Sequence, residues 1–94
     1  MFELPKEAIV SYLRRRETDL DLLRQDLAEH SLKNFRRIGH QLRGNARSFG
    51  FDELEPIAER LEAVTESNLD TDGRLAMDEY MKWLQGQIDK YNIH

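Results

Sequence analysis

The chain has 94 residues and a net charge of −4, with 14 Lys and Arg against 18 Asp and Glu, which suits one acidic domain and disfavours a general nucleic-acid binder. It contains no cysteine, which excludes disulfides and thiolate metal sites. No apolar run approaches the roughly 20 residues that cross a bilayer, and the first five residues lack a secretory pattern, so we expect a cytoplasmic protein without membrane contact.

The first predicted helix runs from about Pro5 to Ala28. Its apolar residues recur at helical spacings, Arg16 is the one polar residue in the stripe, and we allow for a bend between residues 16 and 19. The stripe consists of Ile9, Leu13, Leu20, Leu23 and Leu27. His30 and Ser31 follow as a predicted turn, in which Ser31 serves as the N-cap of the second helix.

The second predicted helix covers about Leu32 to Phe49 and stops at Gly50, a residue typical of helix C-termini. Asp52 and Glu55 form a predicted capping box at the start of the third helix. The apolar stripe of that helix consists of Leu54, Ile57, Ala58, Leu61 and Val64.

The segment 67–73 is rich in turn-forming residues and precedes a fourth helix, predicted over about Arg74 to Tyr91. No segment alternates apolar and polar residues as a half-buried strand would. Four amphipathic helices with short links predict an all-α fold, an antiparallel up-down four-helix bundle that takes up residues 1–94 as a single domain.

His40 lies on the polar side of the second helix. At about 100° per residue, it faces away from the apolar stripe of that helix and should point to solvent. The stripe consists of Phe35, Ile38, Leu42, Ala46 and Phe49. No acid occurs between Glu29 and Asp52, and five positive charges share the side of the histidine: Lys33, Arg36, Arg37, Arg43 and Arg47. A local basic face on an acidic protein indicates a specific anionic group as its ligand.

Two glycines of the second helix have different predicted roles. Gly44 lies one turn beyond His40 on the same side, and because helical side chains lean toward the N-terminus, any side chain there would cover the imidazole. Glycine therefore leaves the ring open to another protein. Gly39 falls at the edge of the apolar face and is predicted to allow close helix packing.

Arg43 and Arg47 should lean toward His40 for the same geometric reason. Guanidinium groups in that position could hold a dianionic phosphoryl group by charge-assisted hydrogen bonds. An imidazole offers a neutral nucleophilic nitrogen near pH 7. The pattern predicts a phosphoryl acceptor, with no metal site and no nucleotide site in this chain.

The run His40-Gln41-Leu42-Arg43-Gly44, followed by Gly50, resembles the motif of the histidine-containing phosphotransfer (HPt) family. The resemblance covers roughly residues 32–62. It implies a four-helix bundle in which His40 is phosphorylated, Arg43 assists the phosphoryl group and Gly44 opens the face. The usual lysine of the family is Arg43 here, which keeps the charge and changes the hydrogen-bond geometry.

The resemblance also implies a phosphorelay in two-component signal transduction. His40 would exchange a phosphoryl group, through Nε2, with the aspartate of a receiver domain in a response regulator or a hybrid histidine kinase. The receiver would bring the Mg²⁺, and this chain would bind no cofactor. We expect a monomer that docks through the arginine face and nearby apolar residues of the second and third helices. The resemblance leaves open the partners and the direction of phosphoryl flow.

Other interpretations stay open beside the carrier. His40 could be an ordinary surface histidine, and the basic face a solvated helix side. The main alternative function is a binding module of the same fold that docks and regulates a kinase or receiver without carrying phosphate; retention of His40 favours the carrier. Independent enzyme activity is not expected, because the chain lacks a Gly-rich phosphate loop and a nucleophile–base pair.

Two metal hypotheses fail on spacing. His30, His40 and His94 do not share one helical face at ligand spacing. The run from Asp70 to Gly73 begins like a calcium loop but lacks the glutamate that should close it, so we interpret it as a turn.

Overall fold

A computed structural model describes residues 4–93, and these residues form four α-helices. They are α1 (Lys6–Glu29), α2 (Lys33–Asn45), α3 (Leu54–Ala63) and α4 (Arg74–Lys90). There is no strand between residues 4 and 93, which confirms the predicted all-α class. His94, the third histidine of the metal hypothesis, lies outside the described residues. None of the described helices combines the length and apolar character needed to cross a bilayer.

Each helix packs against its neighbours in the chain, and α4 closes the bundle against α1. Tyr12 near the start of α1 donates to Asn45 at the end of α2 at 2.7 Å. Asp26, near the end of α1, contacts Asn34 at the start of α2. The two helices therefore run antiparallel. Helices α2 and α3 do so as well, because Gly39 in the middle of α2 lies against Glu62 near the end of α3, while Arg47 just beyond α2 pairs with Glu55 near the start of α3. The predicted up-down order is confirmed, in a body of 42 × 26 × 16 Å.

The apolar stripes of the four helices meet in one core. Leu13 and Leu23 of α1 and Phe35 of α2 are completely buried. Full burial of a side chain of this size contributes roughly 1.5–3 kcal/mol relative to an exposed position. The core therefore fixes the rotation of α2 about its axis, and that rotation decides which residues of α2 face solvent.

Arg16, the polar residue of the α1 stripe, belongs to a buried network. Its Nε lies 2.9 Å from Oδ2 of Asp19, and its guanidinium stacks 4.4 Å from the ring centroid of Tyr12. Tyr80 of α4 donates to Asp19 Oδ2 at 2.8 Å. Burial raises the pKa of Tyr80, so its phenol stays protonated and remains a donor. The network joins α1 to α4, and α1 continues unbroken through residues 16–19.

The prediction for the end of the second helix was wrong. Helix α2 ends at Asn45 and gives way to a 3₁₀ turn over Arg47–Phe49. The carbonyl of Ala46 accepts from the amides of both Phe49 (3.1 Å) and Phe51 (2.9 Å), which tightens the chain before α3. Gly50 follows with φ 81°, a left-handed conformation that favours glycine, so it does end the helical run as predicted.

The predicted N-cap of the second helix was also wrong. Ser31 is not the N-cap of α2, and its Oγ only accepts from the amide of Lys33 at 3.2 Å. Asp26 of α1 caps α2 instead: its Oδ2 accepts from the amides of Asn34 at 2.6 Å and Phe35 at 2.9 Å. A buried carboxylate there satisfies donors that the helix itself leaves unpaired.

The predicted capping box at the start of the third helix is absent. The residue before α3 is Glu53, without a side-chain cap, and the Glu55 carboxylate pairs with Arg47 instead. The segment 67–73 is helical where a turn was predicted. A 3₁₀ turn over Glu66–Asn68 leads into a π-helical turn over Leu69–Gly73, and Leu69 is completely buried in the core.

Candidate functional site

His40 stands on the outer face of α2, and 82% of its side chain is exposed. Ile38 and Leu42, two residues before and after it, each have only 1% of their surface exposed. The core therefore holds α2 in the rotation that presents the imidazole to solvent, as the helical geometry predicts. The ring is therefore accessible to the surface of another protein.

Gly44 borders open space, in contrast to Gly39. A Cβ built at Gly44 would have no atom within 4 Å, whereas one built at Gly39 would lie 2.8 Å from the Glu62 amide nitrogen and 2.9 Å from the Ala58 carbonyl oxygen. Gly39 is thus the packing glycine that the sequence predicts, and it lets the backbones of α2 and α3 approach closely. Helix packing therefore requires glycine at position 39, whereas no packing contact requires it at position 44.

The close approach at Gly39 brings the acids of α3 against Arg43 of α2 and against Arg47 of the turn that follows α2. Arg43 Nη1 lies 2.6 Å from Glu62 Oε1, and Arg47 Nη2 lies 2.9 Å from Glu55 Oε1. The sequence predicts that both arginines lean toward His40; in the structure they pair with α3. Two of the five positive charges that the sequence places on this face are therefore paired with acids of α3 in the folded protein.

Glu62 also contacts His40. Its Oε2 lies 3.4 Å from Nδ1 of the imidazole, while Oε1 holds Arg43. The hydrogen bond from Arg43 lowers the pKa of the Glu62 carboxyl, so Glu62 is ionised at neutral pH. A carboxylate beside Nδ1 favours the tautomer with its proton on that nitrogen and leaves the lone pair of Nε2 free. At 3.4 Å the contact is longer than an ordinary hydrogen bond, so it biases the ring without fixing it.

The three remaining basic residues lie apart from this contact. Arg37 donates to Asn34 Oδ1 at 2.7 Å, which turns it toward the junction with α1. Lys33 and Arg36 are exposed on the turns that precede His40. Glu62 thus links Arg43 to the imidazole, and the structure shows no such link for Arg37, Lys33 or Arg36 among the described contacts.

Sequence reasoning did not identify Glu62 as a site residue. It is separated from Arg43 by 19 positions and lies on another helix. Its spacing from Glu55 and Glu59, seven and three residues, would have placed all three acids on one face of the third helix. Between residues 4 and 93, no group of three or more histidine and acidic side chains could hold a metal ion.

The family model of the Hpt domain matches residues 7–90, which is nearly all of the chain and all four helices. The chain therefore belongs to the Hpt domain family, and it has a phosphotransfer-related role in two-component signalling. No curated protein and no solved structure matches it.

Proposed function

We propose that this chain carries a phosphoryl group on Nε2 of His40 and exchanges it with the aspartate of a receiver domain. The exposed imidazole beside the open position of Gly44 carries the proposal, because it is a nucleophile that another protein can reach from the front. Membership of the Hpt family supplies the chemical context, since Hpt domains generally interact with receiver domains.

The proposed step is an in-line displacement at phosphorus. The lone pair of His40 Nε2 forms the N–P bond, the P–O bond of the receiver's acyl phosphate breaks, and the aspartate leaves as a carboxylate with the electron pair. The proton on Nδ1 stays where Glu62 favours it. The reverse step returns the group to a receiver. The receiver supplies the Mg²⁺ that offsets the charge of the phosphoryl oxygens, and this chain binds no cofactor.

The surface around His40 suits a transient partner. Gly44 leaves room for the edge of a receiver's active site to reach the ring, and Arg36 and Lys33 add positive charge beside it. Such charges raise the association rate more than the affinity. We expect a monomer that docks over the face of α2 with an interface below about 1,600 Å².

A transfer assay tests the carrier role. A panel of receivers labelled with ³²P is mixed with the wild-type protein, with His40→Gln and with His30→Gln. His30 is the matched control because it is exposed at the end of α1, away from the site. We expect an acid-labile, base-stable label on the wild type and on His30→Gln, and none on His40→Gln. Label on His40→Gln would move the acceptor elsewhere.

The same assay distinguishes the alternative function. If receivers bound the wild-type protein at one-to-one stoichiometry and never labelled it, the chain would be a binding module that regulates its partner without carrying phosphate. Isothermal titration with each receiver of the panel supplies the stoichiometry.

A further inference from the structure

Glu62 uses both of its carboxylate oxygens at the proposed site. One oxygen lies 2.6 Å from Arg43 and the other 3.4 Å from His40. The Arg43 guanidinium, which Glu62 links to the imidazole, is therefore already engaged before any phosphoryl group arrives. A phosphoryl group on His40 would have to draw Arg43 away from Glu62.

We propose that Glu62 competes with the phosphoryl group on His40 for Arg43, and that this competition shifts the transfer equilibrium toward the receiver's aspartate. The inference rests on the proposed carrier function and adds a direction to it. The phosphorylated chain would donate its phosphoryl group readily. Arg43 can stabilise that group only after its ion pair with Glu62 is broken, which offsets part of the stabilisation.

The negative charge of the phosphoryl group acts in the same direction as the competition for Arg43. A neutral imidazole that accepts a phosphoryl group gains a net charge of about −1 if Nδ1 keeps its proton, and about −2 if it loses it. In both cases negative charge is added next to an ionised Glu62, with Glu59 on the preceding turn of α3. The phosphoryl oxygens and the Glu62 carboxylate repel each other, and a protonated Nδ1 offsets part of that repulsion, so the phosphorylated state is disfavoured most when Nδ1 has lost its proton.

The geometry also limits the size of the effect. Arg43 is half-exposed, and Glu62 is partly exposed. Exposed ion pairs of this kind change an equilibrium by about 1.5- to 5-fold. We therefore expect Glu62 to adjust the transfer equilibrium without deciding whether His40 can be phosphorylated.

The test is the equilibrium constant between phospho-receiver and phospho-His40, approached from both directions with one receiver. We compare the wild type, Glu62→Gln and Glu59→Gln. Glutamine keeps the size of the side chain and one acceptor oxygen, so the substitution removes the charge and one of the two acceptors that hold Arg43 and His40. We expect Glu62→Gln to raise the constant in favour of phospho-His40 about two- to fivefold, and Glu59→Gln to change it less.

A second comparison asks whether the effect passes through Arg43. If it does, Glu62→Gln should shift the equilibrium less in an Arg43→Ala background than in the wild type, a non-additivity that a double-mutant cycle measures. A general loosening of the fold would not produce that coupling, and circular dichroism of each variant checks that the helices are intact.

The outcomes separate the two proposals. If the wild type is labelled and Glu62→Gln has the same equilibrium constant, or one shifted toward the receiver, the competition is wrong and the carrier function stands. If the wild type is not labelled by any receiver, the carrier function itself has failed.

Discussion

Gly39→Ala tests how closely α2 and α3 must pack to assemble the site. The new Cβ would lie 2.8 Å from the amide nitrogen of Glu62 and 2.9 Å from the carbonyl oxygen of Ala58. Both are backbone atoms, so the clash cannot be relieved by turning a side chain. Helix α3 has to move away from α2, and Glu62 moves with it.

Two opposing effects determine how much Gly39→Ala changes the free energy of unfolding. Overpacking of this kind costs about 1–3 kcal/mol. Alanine in place of a helical glycine returns roughly 1 kcal/mol through helix propensity. We expect a net loss of about 1 kcal/mol in the free energy of unfolding, which lowers the Tm of a domain of this size by roughly 4–8 °C.

Gly86→Ala is the matched control for propensity. Gly86 lies in α4, and a Cβ there would have no atom within 4 Å. This variant should gain up to about 1 kcal/mol. Thermal and urea unfolding followed by circular dichroism measure both variants. If Gly39→Ala were as stable as Gly86→Ala, the close contact between α2 and α3 would not exist as described.

Three further substitutions have defined outcomes. Asp26→Ala removes the acceptor for the first amides of α2 and should cost about 1–3 kcal/mol in urea unfolding; an unchanged midpoint would show that another group caps the helix. Gly44→Glu should keep the helical circular dichroism spectrum while it blocks phosphoryl transfer, and undiminished transfer would refute the role of the open face. Arg43→Ala should slow transfer without removing the acceptor, so rates equal to those of the wild type would place Arg43 outside the chemistry.

Local sequence patterns were sufficient to predict that four helices form and that His40 is exposed. The apolar spacing in α2 reports directly on which side of the helix is buried, and His40 lies opposite that side. The same pattern assigned the packing role of Gly39. These features depend on residues within one or two helical turns, so they can be derived without the rest of the fold.

Contacts between helices could not be predicted in the same way. Asp26 caps α2 from eight residues away, and Glu62 reaches Arg43 from 19 residues away. Their partners depend on how the helices pack, which the sequence of one helix does not determine. For that reason the basic face of α2 was predicted as free, although the fold supplies acids from α3 to pair with it.

The most direct test of the account is to identify the phosphorylated atom. The protein is labelled with ¹⁵N in its histidines, phosphorylated by a receiver, and studied by ¹H–¹⁵N and ³¹P NMR spectroscopy. The account predicts one phosphoryl group, bonded to Nε2 of His40, with the remaining ring proton on Nδ1. A phosphoryl group on Nδ1 of His40, or on any other residue, would contradict it.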